Sequence, residues 1–189
     1  MQHDAPPTAS AQPAASTAPQ LHHLQPAGLY DATPNGYTHV VTVHGPAQWA
    51  FVSGQGGENQ AGDLPDSFAA QAQQALSNLK LALQAAGADM GQVVKLTLLI
   101  VDHSEARFND WQAAVRLHWS DGVPGDGAPG NTLPRFPACT LIPVPRLALP
   151  GMLIEVDAVA ALPAHAQPAR PLLWVCLLYT SPSPRDKRQ

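Results

Sequence analysis

The residues best suited to chemistry are two carboxylates near the end of the chain. Glu155 and Asp157 lie two positions apart in Leu153-Ile154-Glu155-Val156-Asp157-Ala158-Val159-Ala160. Alternate side chains of a strand share a face, so the two carboxyls would project together, about 6.6 to 6.8 Å apart by strand rise. Met152, Ile154, Val156, Ala158 and Ala160 form the opposite, apolar face. If the carboxyl face is enclosed, desolvation and mutual repulsion raise at least one pKa and create a general acid/base. If it is open, the pair meets solvent or a neighbouring Lys or Arg. Spacing alone leaves both readings standing.

Three other stretches carry reactive residue types. Ser53-Gly54-Gln55-Gly56-Gly57 follows a strand, and its glycines allow backbone N–H groups to approach a ligand as an oxyanion or carboxylate cradle requires. The same residues also suit a plain turn. The stretch has no Walker lysine and no dinucleotide spacing, which weakens a phosphate reading. Asp102-His103-Ser104 contains the residue types of a catalytic triad, but adjacency is not triad geometry. Ser104 reads as a helix cap and His103 as a surface residue. Cys139 is either a nucleophile or a small buried hydrophobe, and with no basic residue beside it the inert role is favoured.

The elements that must position these groups follow from periodicity. Residues 39–43 and 49–53 are short β-branched or aromatic runs around Gly45-Pro46, which predicts a hairpin. Phe68, Ala72, Ala75, Leu76, Leu79, Leu83 and Ala86 recur at helical spacing, with Asp66 or Ser67 as the cap and Gly87 as a left-handed stop. Residues 93–101 read as a buried strand. Ser104 opens a second helix whose inner face carries Phe108, Trp111, Val115 and Trp119. A Gly/Pro-rich loop at residues 122–130 follows. Residues 135–144 are extended but interrupted by prolines, as suits an edge or bulged strand. Residues 152–162 form the last strand. The order ββ-α-β-α-ββ predicts an α+β layer, one mixed sheet with two helices on one face. Its other face must be buried or polar, and oligomerisation is one way to bury it.

Composition bounds the partners and the ends. The chain has 189 residues, a formal net charge of −4 and only 13% charged residues, with no Lys/Arg cluster in the globular region. A phosphate-tracking nucleic-acid surface is therefore not expected. No apolar run is long enough to span a membrane, and no secretory pattern opens the chain, so a cytoplasmic setting is the default. Two cysteines, Cys139 and Cys176, make no disulfide framework. Proline concentrates at both ends and the aromatics in the middle. This predicts a disordered tail over residues 1–24, a domain over residues 25–163 and a second tail over residues 164–189. His22-His23 in the first tail reads as a solvated pair. Residues 176–189 resemble a translated sequencing adaptor and are set aside, together with Trp174.

Six stretches in register resemble the RidA/YjgF family of imine and enamine deaminases. They are Pro34-Asn35-Gly36-Tyr37-Thr38-His39, Phe51-Val52-Ser53-Gly54-Gln55, Ala85-Ala86-Gly87, Val93-Val94-Lys95-Leu96-Thr97, Phe136-Pro137-Ala138-Cys139-Thr140, and Leu153 to Ala160. The resemblance covers about residues 24–162. It implies a chorismate-mutase-like fold, a homotrimer with a central barrel, and ligand clefts between subunits. It also implies hydrolysis of reactive imines or enamines without cofactor or metal. By position, Glu155 resembles the carboxyl that activates water. Tyr37 and Ser53 match pocket residues, and Gly54 sits where a backbone N–H meets the ligand.

This chain departs from the family at one such position. Deaminase members carry an Arg that binds the substrate carboxylate bidentately, where this chain has Cys139. A thiol cannot replace a guanidinium fork, and losing that pair costs about 1.5 to 3 kcal/mol. Arg135 and Arg146 are near in sequence, but strand parity and distance do not by themselves place either in the pocket. The departure keeps three readings in view: a hydrolase working through Glu155, a non-catalytic small-molecule-binding or regulatory module, and a redox-sensing Cys139.

Overall fold

Ser67 begins the most regular element, because its Oγ accepts a hydrogen bond from the N–H of Ala70 and caps helix α1, Phe68–Ala85. The computed structural model describes residues 18–119 and 135–164. Around α1 lie β1 (Gln20–Leu24), β2 (Val40–His44), β3 (Ala47–Gly56), β4 (Val93–Val101), α2 (Glu105–Trp119), β5 (Ala138–Val144) and β6 (Ile154–Pro163). Gly87, at φ +75°, takes the left-handed conformation that stops α1. Ser104 Oγ accepts from the N–H of Arg107 and opens α2. The loop expected at residues 122–130 and the tail and adaptor-like stretch, with Trp174 and Cys176, lie outside the described residues.

The main sheet has the order β3-β6-β4-β5. β6 runs antiparallel to β3 and β4, and β5 runs parallel to β4 across the α2 crossover. α1 therefore links two parallel strands between which β6 is inserted. The helices cover one face. Leu76, Leu79 and Leu83 of α1 and Trp111 and Val115 of α2 bury against Leu96, Leu98 and Ile100 of β4 and Ile154, Val156 and Ala158 of β6. This is the expected α+β layer, with the apolar parity of β6 as read from the sequence. β5 lies at the sheet edge, where Pro143 is tolerated because its missing N–H interrupts only one ladder.

Two sequence expectations fail here. The hairpin across Gly45-Pro46 does not form: β2 pairs with β1 in a separate two-stranded sheet, while β3 pairs with β6. Gly45 adopts φ +92° and Pro46 has no N–H to donate, so the short link redirects the chain instead of closing a ladder. β2 thus lies outside the mixed sheet, which with its two helices is the one expected. The tail expected over residues 1–24 also ends early, because residues 20–24 form β1. Its Leu21 and His23 are half-buried and pair with Val43 and Val41. Composition cannot show a ladder supplied by a distant strand. His22, expected to be merely solvated, brings its ring to 4.7 Å from that of His44.

One buried polar side chain joins the start of β6 to α1. Gln71 is 1% exposed. Its Nε2 donates to the carbonyls of Pro65 (2.8 Å) and Gly151 (2.9 Å), and its Oε1 accepts from the N–H of Leu153 (2.8 Å). Gln71→Leu keeps the bulk and strands three backbone groups. We expect a loss of about 2 kcal/mol in urea unfolding, given the cost of buried unpaired groups. An unchanged midpoint would show that these bonds contribute nothing net.

Candidate functional site

Glu155 projects from β6 on the face away from the helices. It lies opposite Leu99 of β4 and Gly56 of β3. The register of β3 shifts between Val52 and Gln55, so Ser53 and Gly54 occupy a bulge beside it. Bulges re-aim side chains and break ladders near functional sites. A Cβ placed on Gly54 would fall 1.7 Å from Glu155 Oε1 and 2.5 Å from its Cδ. The carboxylate thus packs directly on the Gly54 backbone, in space that only glycine leaves. The two alternatives for the glycine stretch divide by position. Gly54 makes room for a carboxylate. Gly57 makes room for a helix, since a Cβ there would lie 2.7 Å from Gln71 Cα.

Asp157 lies on the same face and is exposed. Its Oδ1 accepts a hydrogen bond from the N–H of Thr97 at 3.1 Å. Beside it, Lys95 donates from Nζ to Thr140 Oγ1, across to β5. Phe51, Ser53, Lys95, Thr97, Asp157 and Val159 line a shallow depression. The face is open to solvent in a single chain, and Phe51 is 79% exposed.

Tyr37 and Cys139 meet elsewhere. Cys139 and Leu141 of β5 turn toward the helices and pack on the core. With Tyr30, Asn35, Tyr37, Leu98, Phe108 and Trp111 they line a cavity of about 220 Å³. The hydroxyls of Tyr30 and Tyr37 hydrogen-bond to each other. His39 Nε2 is 2.8 Å from the Tyr30 carbonyl oxygen, and its ring meets those of Tyr30 and Tyr37 edge-on. Asn35 Oδ1 accepts from Gln112 Nε2 at 3.0 Å. Burial pushes the free Cys139 thiol up to about 11, with Lys95 opposing and Asp157 reinforcing the rise. Burial and the bond to Tyr30 push the Tyr37 phenol up to about 12. Both groups are neutral near pH 7, so Cys139 is a poor nucleophile and a poor redox sensor there.

The sequence-predicted site residues therefore fall into two groups. Ser53, Gly54 and Glu155 come together on the open face, while Tyr37 and Cys139 come together on the helix side of the β5 edge. One chain does not bring the groups together. The sequence reading missed Tyr30, Asn35 and Phe108 as pocket walls, and it took Trp111 for core alone. The signal was present in the cluster of aromatics between Tyr30 and His39, ahead of any strand that needed them. Among the described residues, no cluster of three or more His, Cys, Asp or Glu side chains has metal-binding geometry. No described helix is long and apolar enough to cross a membrane.

A model of the family described as endoribonuclease L-PSP matches residues 31–162. The chain belongs to this family, the YjgF/RidA family. It is 34% identical over 101 residues to a 2-iminobutanoate/2-iminopropanoate deaminase of Escherichia coli strain K12, covering 53% of this chain and 69% of that one. The RutC family protein PM1466 of Pasteurella multocida is 33% identical over 101 residues, with the same coverage. Among solved structures, a conserved Rid family protein from Yersinia pestis superposes with a TM-score of 0.64 at 32% identity, over 75% of this chain and 98% of that one. The fold is thus that of the Rid proteins, as the six sequence stretches implied.

Proposed function

We propose that this Rid-family chain hydrolyses reactive imines and enamines in a cleft formed where two copies of a homotrimer meet. The observation that carries the reading is the Glu155 carboxylate lying on the Gly54 backbone within the β3 bulge. The name of the Escherichia coli relative supports the reaction class. Glu155 takes a proton from water as its oxygen bonds to the imine carbon, and the C=N π pair moves to nitrogen. Glu155 then returns that proton to nitrogen to give a carbinolamine. It next carries the carbinolamine hydroxyl proton to the amino nitrogen as the C–N bond breaks, so that ammonia leaves and the carbonyl forms. An enamine first gains a proton on carbon to become the imine. Water and one carboxyl balance this reaction, so the proposal invokes no cofactor and no metal.

The two-copy cleft follows from the division of the site. Ser53, Gly54 and Glu155 face away from the helices, whereas Tyr37 and Cys139 line a cavity on the helix side. A second copy that sets its β5 edge against the open face would complete one site. Phe51 and Trp49, 79% and 48% exposed, give that face apolar area to bury. RNA cleavage, which the family description suggests, is not our reading. The net charge is −4, and Arg107 and Arg116 are engaged with the carbonyls of Val101 and Pro34.

The test is ammonia release from freshly generated imines, with and without the protein. Cys139 at the position of the carboxylate-binding Arg favours a second reading, a non-catalytic small-molecule-binding module. No acceleration across a panel of imines, beside a ligand that raises Tm, would decide for that module.

A further inference from the structure

The cavity beside Cys139 has an unusual lining for a site that would hold an imino acid. Leu98, Leu141, Phe108 and Trp111 supply its apolar walls, and Tyr30 and Tyr37 add two more aromatic rings to the lining. Its polar groups are a thiol, two phenols that bond to each other, and the Asn35 amide. All are uncharged. Two cations lie nearby, and both are engaged away from the lining: Lys95 reaches Thr140 on the opposite face of β5, and Arg116 donates to the carbonyl of Pro34. A carboxylate entering this cavity would lose its water without gaining a charge-assisted bond, which is unfavourable. An apolar group would exchange water for aromatic and aliphatic contact, which is favourable. At about 220 Å³, the cavity equals roughly seven waters of liquid volume, enough for a phenyl or branched aliphatic group and too small for a nucleotide.

We propose that this cavity selects imines bearing an uncharged apolar substituent in place of a carboxylate, and that Cys139 is the residue that sets the preference. The inference rests on the imine-hydrolase reading and names its substrate class. The step is R–CH=NH plus water giving R–CHO plus ammonia. Oxidation of a primary amine R–CH2–NH2 is the class of reaction that supplies such an imine. The polar end of the substrate, the C=N carbon, would stay at the cavity mouth, where the partner copy's open face brings its carboxyl. The R group would fill the space that a guanidinium would otherwise occupy.

The experiment compares two imines made in place. An amine oxidase acting on benzylamine makes the neutral imine, and an amino-acid oxidase acting on alanine makes 2-iminopropanoate. The readout for each is the protein-dependent rate of imine loss, trapped with semicarbazide. The wild-type chain is expected to show kcat/KM at least about tenfold higher for the neutral imine. Cys139→Arg should reverse that order by about 10- to 100-fold, the effect of one charge-assisted pair. Equal or better wild-type turnover of 2-iminopropanoate would overturn the proposal and leave the hydrolase reading intact. Turnover of neither imine would instead sink the hydrolase reading. The selectivity is then decided by calorimetry with benzamide against benzoate on the wild-type chain. Tighter benzamide binding upholds the apolar, uncharged preference, and equal or tighter benzoate binding overturns it. This arm also serves if Cys139→Arg fails to fold.

Discussion

Glu155→Gln is expected to lower imine-dependent ammonia release by about 10²- to 10⁴-fold, the range of a general acid/base contribution. Gln has nearly the shape of Glu, so the contact with the Gly54 backbone survives. An amide cannot accept the proton of an attacking water. The melting temperature should therefore move by no more than about 2 °C, or about 0.5 to 1 kcal/mol for a domain of this size. Rate loss with the fold intact separates chemistry from packing. KM should change little, because the amide still fills the same space beside the bulge. A variant with full rate would remove Glu155 from the mechanism.

The largest expected loss of stability comes from Gly57→Ala. A Cβ at Gly57 would lie 2.5 Å from Gln71 Cβ, 2.7 Å from its Cα and 2.8 Å from its Cγ. These are atoms of a helix in the middle of the core, and no flexible side-chain end can swing away. Overpacking of this kind costs about 1 to 3 kcal/mol. Moving α1 would also loosen the hydrogen bonds that Gln71 makes to Pro65, Gly151 and Leu153. A total of about 3 kcal/mol or more is expected, which lowers Tm by about 6 to 12 °C. Gly28→Ala is the control, since a Cβ there meets nothing within 4 Å. It should stay within about 0.5 kcal/mol of wild type. Equal stability of the two variants would contradict the close approach of β3 and α1.

Much of this fold was legible from periodicity because burial and period coincide. α1 buries the stripe read from Phe68 to Leu83, and β6 buries Ile154, Val156 and Ala158 while turning Glu155 away. The failures share one cause. Pairing partners are chosen by long-range geometry, so neither the separation of β2 from β3 nor the addition of β1 to β2 leaves a local trace. The same holds for the site. Glu155 and Gly54 are far apart in sequence, and each offered two readings. The contact between them depends on the register of β3 on β6 and on a bulge that residue types alone do not specify. The parity of β5 was equally hidden: it turns Cys139 toward Trp111 and away from Glu155, and so divides the candidate residues between two faces.

That division makes the two-copy cleft the central claim, and subunit mixing tests it most directly. Glu155→Gln removes the carboxyl, and Cys139→Phe fills the cavity, so each variant alone should be inactive. Co-expressed trimers shown by mass to contain both variants would pair an intact carboxyl face with an open cavity at one of their three head-to-tail interfaces, about a third. The account predicts recovery to about a third of the wild-type rate. Mixed trimers no more active than the sum of their parents would contradict it, and would place the whole site within one chain.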